Sequence, residues 1–214
     1  MAKQKFNRRD LFGLTGGAAL ALGALPSSLA FAAKEEDGLI IGADGLYTQP
    51  WFVQSFFDLR DDLAEASAAG KRFAVLWEQR GCPYCRELHQ VNFADAEIGP
   101  YAKDNFAILQ LDIWGNRKVT DFDGQEMSEK ELARRWGVSF TPTLNFFPPD
   151  PAAMEGKIGG KAEVTRMPGY FKPFHFHTML VYVKDEQYKD MGFQDFLQVR
   201  SKKLHDEGKE VKYW

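Results

Sequence analysis

Residues 73–85 read FAVLWEQRGCPYC, a continuous apolar run that ends in a turn and a pair of cysteines. The apolar run predicts a short strand buried on both faces. After Gly81, the segment from about Pro83 to Phe93 is predicted to be helical, because proline is favoured in the first turn of a helix. The two cysteines therefore lie where a buried strand gives way to a helix.

Cys82 is predicted to start that helix, where its sulfur faces free backbone N–H groups and the positive end of the helix dipole. Both favour the thiolate, so we expect the pKa of the Cys82 thiol to fall below the value of about 8.5 of a free cysteine. Cys85 follows on the same helix face, within reach of a mixed disulfide at Cys82. We expect Cys82 to be exposed and to attack, and Cys85 to be deeper and to resolve. Tyr84 between them would tune the reduction potential.

The pair contains the only cysteines of the chain. A bridge across two intervening residues stabilises a fold very little, since stabilisation grows with the length of the closed loop. Reactivity therefore explains the pair better than stability does. The alternative is a metal site completed by His175 and His177, but an H-x-H pair does not place two ligands on one helix face. We expect no metal and no cofactor, and we interpret both histidines as aromatic-cluster or surface residues.

Hydrophobic periodicity predicts alternating helices and strands around this stretch. A helix that ends at Gly70 is predicted from apolar residues at helical spacing: Phe52, Phe56, Leu59, Leu63 and Ala66. Ser128 and Glu131 form a capping-box pattern that opens a helix. Further strands are predicted over 106–113, 144–147 and 162–167, and closing helices over about 173–190 and 193–207. This order predicts an α/β domain with a central mixed β-sheet flanked by helices.

Phe140-Thr141-Pro142-Thr143 lies directly before the predicted strand at 144–147. With the strand, the C-x-x-C pair at a helix start and the helix that ends at Trp136-Gly-Val, this order resembles the thioredoxin family from about residue 51 to 190. The resemblance implies a thioredoxin fold with a C-terminal helical extension. It also implies a cis Thr141–Pro142 bond packed against the cysteines, and a Thr141 backbone that pairs with an extended substrate. Without the resemblance, an ordinary trans proline in a turn is the expectation.

More narrowly, four segments resemble the SoxW-type thioredoxins of sulfur-oxidising bacteria: EQRGCPYC at 78–85, LDIWG at 111–115, VTDFDG at 119–124 and FQDFL at 193–197. That resemblance implies a periplasmic reductant that receives electrons from a membrane thiol transporter of the CcdA/SoxV kind. Its clients would be disulfides of secreted proteins, including those that handle sulfur compounds or mature cytochromes c.

The chain departs from the common thioredoxin pattern in two places. Leu76 replaces the usual buried acid six residues before the first cysteine. Glu78 is close in sequence but is expected to point to the other side of its strand end or into the turn. It either substitutes for that acid or is a surface acid paired with Arg80 or Arg86. The second departure is an insertion around 116–125, predicted to be a loop beside the active site.

The first 32 residues differ in kind from the rest. Lys3, Lys5 and Arg8-Arg9 precede a weakly apolar run over 11–25, and Ala30-Phe31-Ala32 suits signal peptidase. The arginine pair followed by Asp-Leu-Phe resembles a twin-arginine export signal. We predict a signal peptide over 1–32, an extension over 33–50 and a thioredoxin-like domain over 51–214, in a periplasmic protein. An ordinary Sec signal and an uncleaved anchor are the alternatives.

Bulk properties narrow the choice of partners. A formal net charge of −3 argues against nucleic-acid binding, which requires a basic surface stripe. No interior run approaches the roughly 18 apolar residues of a membrane span. We expect a monomer of one domain that reduces the disulfides of client proteins. The alternatives are a disulfide oxidase or isomerase, and a metal- or peptide-binding module without enzymatic activity.

Overall fold

The computed structural model describes residues 34–36 and 38–208, so the predicted signal segment lies outside the described residues. The strands are β1 (Lys34–Glu36), β2 (Leu39–Ile41), β3 (Tyr47–Thr48), β4 (Arg72–Glu78), β5 (Phe106–Asp112), β6 (Lys118–Thr120), β7 (Glu126–Ser128), β8 (Thr143–Phe146) and β9 (Thr165–Pro168). The helices are α1 (Leu59–Ala68), α2 (Pro83–Glu87), α3 (Ile98–Asn105), α4 (Glu129–Arg135), α5 (Gly159–Ala162), α6 (Pro173–Lys184) and α7 (Phe193–Asp206).

A four-stranded mixed sheet forms the centre, in the order β5-β4-β8-β9. β4 runs parallel to β5 and antiparallel to β8, and β8 runs antiparallel to β9. β4 is buried on both faces because its side chains alternate between two apolar cores. Phe73, Val75 and Trp77 point into one core, and Ala74 and Leu76 into the other. The mixed sheet between helical layers confirms the predicted α/β class.

The two cores contain residues from different helices. The core that contains Trp77 also holds residues of α1 and α4, and the core that contains Leu76 holds residues of α3 and α6. The capping box at Ser128 is confirmed: Glu131 accepts a hydrogen bond from the Ser128 backbone N–H at 2.8 Å. Among the described residues, no helix is long and apolar enough to cross a bilayer.

The predicted helix around 52–70 begins later than expected. α1 starts at Leu59, and Asp58 caps it by accepting a hydrogen bond from the backbone N–H of Arg60. Phe52 is buried ahead of the helix, whereas Phe56 is fully exposed. Phe57 adopts a left-handed conformation (φ 65°), which separates these phenylalanines from α1. Their helical spacing was therefore a coincidence of the sequence.

The helix predicted from Pro83 to Phe93 is confirmed as α2 and its continuation in a π-helix over Leu88–Phe93. Two other parts of the fold differ from prediction. α3 had no counterpart in the predictions, because Gly99 and Pro100 discourage a helix; Pro100 is tolerated here because it lies in the first turn. The strand predicted over 162–167 is β9, which begins only at Thr165 because α5 takes up the preceding residues.

The loop predicted at 116–125 is only partly correct, because Lys118–Thr120 forms β6, which pairs with β7, and residues 121–125 form the turn between these two strands. Val119, Asp121 and Phe122 are buried, with at most 2% of their surface exposed. Thr120 donates its backbone N–H to the Phe57 carbonyl at 2.8 Å, which ties the hairpin to the segment before α1. Gly124 adopts φ 82° in the turn, a conformation that favours glycine.

Asp121 anchors this hairpin. Its carboxylate accepts hydrogen bonds from the Arg135 guanidinium at 2.9 Å, the Trp136 indole at 3.1 Å and the Gly159 backbone N–H at 3.1 Å. The insertion is thus part of the scaffold.

Candidate active site

Cys82 and Cys85 are joined by a disulfide at the start of α2. Cys82 is the N-cap residue, and its Sγ accepts the backbone N–H of Cys85 at 3.0 Å. Gly81 makes the turn from β4 with φ 68°, and Pro83 occupies the first helical turn, where no N–H is needed. The predicted position of the pair, between a buried strand and a helix start, is confirmed.

The predicted difference in exposure is not present in the oxidised state. Cys82 is 3% exposed and Cys85 is 1% exposed, so the expectation that Cys82 lies open to solvent is wrong for the disulfide form. Thr141 accounts for the covering of Cys82. Its hydroxyl donates to the Cys82 Sγ at 3.4 Å, and its carbonyl oxygen lies 3.6 Å from the same sulfur.

The Thr141–Pro142 peptide bond is cis, as the resemblance implied. β8 begins at the next residue, and Thr143 pairs with Trp77 near the end of β4. Thr141 therefore lies just before β8, next to the end of β4. From that end of β4 the chain continues to Cys82. The C-x-x-C pair and the Thr-Pro segment, 59 residues apart in sequence, therefore form one site.

Three large aromatic side chains, Tyr84, Trp114 and Phe140, are exposed. Tyr84, between the cysteines, is 62% exposed, and Phe140, directly before Thr141, is 68% exposed. The Tyr84 ring stacks on that of Tyr170, with 6.4 Å between centroids. Burial, with a smaller contribution from the negative charge of Glu87, raises the pKa of Tyr170 to about 12. Trp114 is 68% exposed, and its indole donates to Gln79 at 2.6 Å.

Glu78 is fully buried, so its interpretation as a surface acid paired with Arg80 or Arg86 is wrong. The expected orientation was also wrong, because strand alternation places Glu78 on the same face of β4 as Leu76. Leu76 itself is buried in the core of α3 and α6. The Glu78 carboxylate contacts the His89 Nε2 at 3.2 and 3.3 Å.

His89 is the buried partner of Glu78, and the sequence predictions did not single it out. It is 1% exposed and follows Cys85 by four residues in the continuous helical segment. The spacing of four residues was a usable signal, because it places two side chains on one helix face. The His89 Nδ1 bonds to the Gln49 side-chain amide at 3.0 Å, while Gln110 donates to both Glu78 and the Tyr47 carbonyl.

The two histidines considered as metal ligands lie on α6. The His177 ring packs edge-on against Tyr101, with 5.0 Å between centroids. Burial lowers the pKa of both His175 and His177, and for His177 the positive charge of Arg200 adds to the shift. In the part of the chain that the structure describes, no group of three or more His, Cys, Asp or Glu side chains is arranged to hold a metal ion.

Comparison with known proteins gives a family match. The model of a family described as a thioredoxin-like domain matches residues 59–184. A thioredoxin-fold protein from Helicobacter pylori shares 22% identity at a TM-score of 0.47, over 62% of this chain and 86% of that one. A thioredoxin from Thermus thermophilus shares 23% identity at a TM-score of 0.44, over 59% of this chain and 84% of that one. Among curated proteins, none matches the chain.

Proposed function

This chain belongs to the thioredoxin-like domain family and has its fold, and from that premise we propose that it is a thiol–disulfide oxidoreductase that reduces the disulfides of client proteins. The observation that carries the proposal is the Cys82–Cys85 disulfide at a helix start. Two donors point at the Cys82 sulfur, the Cys85 backbone N–H and the Thr141 hydroxyl. Such donors stabilise a thiolate when the disulfide is reduced.

The reaction starts from the reduced pair. The Cys82 thiolate attacks one sulfur of a client disulfide, forms a mixed disulfide and releases the other client sulfur as a thiolate, which solvent protonates. Cys85 loses its proton and attacks the Cys82 sulfur, which releases the second client thiolate and leaves the Cys82–Cys85 disulfide. The client gains two electrons and the pair loses two. A dithiol of an upstream donor returns them by the reverse exchange.

We assign the roles of the two cysteines from their positions, because both side chains are almost equally buried in the oxidised form. Cys82 caps the helix and lies under Thr141, at the surface where an extended client segment could pair with the Thr141 backbone. Cys85 is one turn further along the helix, with its backbone N–H already bonded to the Cys82 sulfur. A client segment that pairs with the Thr141 backbone therefore meets the Cys82 sulfur before that of Cys85.

The client surface that we propose consists of Tyr84, Phe140 and Trp114 around the covered sulfur. Each of these side chains is more than 60% exposed, and a group of exposed aromatic side chains is typical of a protein-binding surface. Stacking on Tyr170 orders Tyr84 in advance, so that little side-chain entropy is lost on binding.

The cellular setting is part of the proposal. We place the protein in the periplasm, exported by the twin-arginine route, on the basis of the sequence of residues 1–32. A membrane thiol transporter of the CcdA/SoxV kind would supply electrons, as the SoxW-type resemblance implies. The clients would be secreted proteins of sulfur oxidation or cytochrome c maturation.

Turnover of a protein disulfide by the purified protein tests the activity, with a small dithiol as electron donor. Cys82→Ser is expected to abolish turnover, and Cys85→Ala to stop after one mixed disulfide per molecule. The mixed disulfides trapped by Cys85→Ala identify the clients. A reduction potential near the strongly oxidising value of about −120 mV would reject the reductase in favour of an oxidase. Full turnover by Cys82→Ser would reject both the reductase and the oxidase.

A further inference from the structure

Asn92 is a buried polar residue that the proposed reaction does not use. It lies in the π-helix that continues α2, and none of its surface is exposed to solvent. A buried side-chain amide costs free energy unless its polar atoms are bonded, so its partners show what it holds in place. Both of its hydrogen-bond partners belong to residues 170–171, in the loop between β9 and α6.

Asn92 holds this loop with both ends of its amide. Its Nδ2 donates to the Phe171 carbonyl at 2.8 Å, and its Oδ1 accepts the Tyr170 hydroxyl at 3.0 Å. The pKa of Tyr170 is raised to about 12, mainly by burial, so the phenol stays protonated at neutral pH and keeps donating. At the start of the loop, the Gly169 backbone N–H donates to the Pro142 carbonyl at 2.8 Å. The loop is thus bonded both to the helical segment of the cysteines and to the Thr-Pro segment.

The Tyr170 ring in turn supports Tyr84, the residue directly before Cys85. The two rings stack with 6.4 Å between centroids and an angle of 17° between their planes. Tyr84 is 62% exposed, so the ring face turned away from Tyr170 is accessible to a client. Pairs of aromatic rings gain energy beyond the burial of their area, so such a face favours another ring over an aliphatic side chain. A client ring could therefore extend the stack.

We propose that the Tyr84–Tyr170 stack takes up an aromatic side chain next to the client disulfide, and that Asn92 positions the stack. The proposal rests on the proposed function and names the class of client that the site prefers. Asn92 is a positioning residue, because it acts on the client only through Tyr170 and Tyr84. It should therefore set the affinity for the client and leave the thiol–disulfide exchange at Cys82 unchanged.

The position of the stack explains why the preferred side chain lies beside the disulfide. A client segment that pairs with the Thr141 backbone has its reacting sulfur at Cys82. Tyr84 follows in the first turn of the helix that Cys82 caps. Residues of an extended segment are only about 3.3 Å apart along the strand, so the neighbours of the client cysteine lie over that turn.

The test compares two peptides, each with one disulfide, as substrates of the full-length protein with a small dithiol as electron donor. The peptides differ only in the two residues that flank one cysteine, which are phenylalanine in one peptide and leucine in the other. Both residues are apolar, so the comparison isolates the ring. We expect kcat/KM of the wild type to be about fivefold higher for the phenylalanine peptide, through a lower KM, which is the size of one aromatic pair.

Asn92→Ala is expected to reduce this preference to less than about twofold and to leave kcat unchanged, because the Tyr170 ring loses its fixed position. Tyr170→Phe keeps the ring and removes only the hydroxyl that Asn92 binds, so the preference should fall to about threefold. The second variant tests the proposal even if the first folds poorly. Tyr182→Phe is the matched control. It removes a phenol hydroxyl that donates to the Met191 carbonyl at 2.7 Å, and it should keep the full preference.

A wild-type preference in Tyr170→Phe, or in a folded Asn92→Ala, would overturn the proposal. An equal loss in Tyr182→Phe would also overturn it, because the effect would then come from a general loosening of the core. The same holds if the variants lower kcat instead of raising KM, or if the wild type reduces both peptides equally well. Failure of the proposed function looks different, because the wild type would then reduce neither peptide.

Discussion

Asp121 and Glu78 are both fully buried carboxylates, but the groups around them differ. Asp121 is surrounded by donors on the scaffold side of the sheet, among them a guanidinium, an indole and backbone N–H groups. Glu78, on the opposite face of β4 from Trp77, has an imidazole and one amide. Asp121 faces a guanidinium, which does not give up its proton, whereas Glu78 faces an imidazole, the side chain most often used to donate or accept a proton in catalysis. We infer that the first acid serves stability and the second serves chemistry.

Replacing Asp121 should have the largest effect on stability. Asp121→Ala leaves Arg135 and the Trp136 indole without their buried acceptor, and we expect a loss of about 3 kcal/mol in the free energy of unfolding. Denaturant unfolding at neutral pH measures this. Asp123→Ala is the control, because Asp123 pairs with the same arginine but is more accessible, and it should cost less. Equal losses for the two variants would contradict the role of Asp121 as an anchor.

Asp62 is a third buried acid, and it lacks a cationic partner among the interactions that shift its pKa. Burial, together with the negative charges of Glu65, Asp58 and Asp61, raises its pKa to about 6 against the opposing effect of a hydrogen bond from Ser55. Because the folded-state pKa lies above the unfolded value, the protonated form supports folding below about pH 4, and that support is lost as the pH rises through about 6.

Asp62→Asn should therefore stabilise the protein above pH 6, by roughly 2 kcal/mol, and leave it unchanged near pH 4. Unfolding free energies of the variant and the wild type across this range give the difference. A gain of the same size at both pH values would mean that charge burial is not the cause. The ordinary cost of losing the Ser55 contact would appear instead as a loss at all pH values.

Glu78→Gln should change the free energy of unfolding by less than about 1 kcal/mol, because glutamine keeps the shape and one acceptor for His89. The comparison with Asp121 predicts that this variant damages the redox reaction while Asp121→Ala, measured well below its melting temperature, does not. Reduction potentials and unfolding curves of the two variants, in the same buffer, decide this. A large stability loss in Glu78→Gln would make both acids structural.

Tyr84→Ala should have the smallest effect on stability, within about 0.5 kcal/mol, because the side chain is mostly exposed. We expect it to raise the KM for a protein disulfide several-fold and to leave the reduction of a small aromatic disulfide unchanged. Val199→Ala is a control on another exposed apolar side chain, located on α7. If both variants raised the KM equally, the exposed aromatic side chains would not form the client surface.

The parts of the molecule that could be predicted from sequence depend on local chemistry. The helix start at Cys82, the capping box at Ser128 and the buried strand at 73–77 each follow from neighbouring residues. The cis bond at Pro142 was predicted only through the family resemblance, because an isolated Thr-Pro is more often trans.

The parts that were missed depend on contacts between distant residues. Val119 and Phe122 are buried because the hairpin packs into the core that contains Trp136 and Phe147, and a charged, glycine-containing sequence does not indicate that burial. Gln49 is 40 residues from His89 in the chain. For Glu78 a local signal did exist: strand alternation places it on the face of Leu76, and this outweighs its charged character.

Alkylation of the reduced protein at a series of pH values, with each cysteine followed by mass spectrometry, tests the central assignment most directly. We predict that Cys82 reacts first and that its thiol titrates with a midpoint below the value of about 8.5 of a free cysteine. Faster reaction at Cys85, or a Cys82 midpoint at or above that value, would contradict the account.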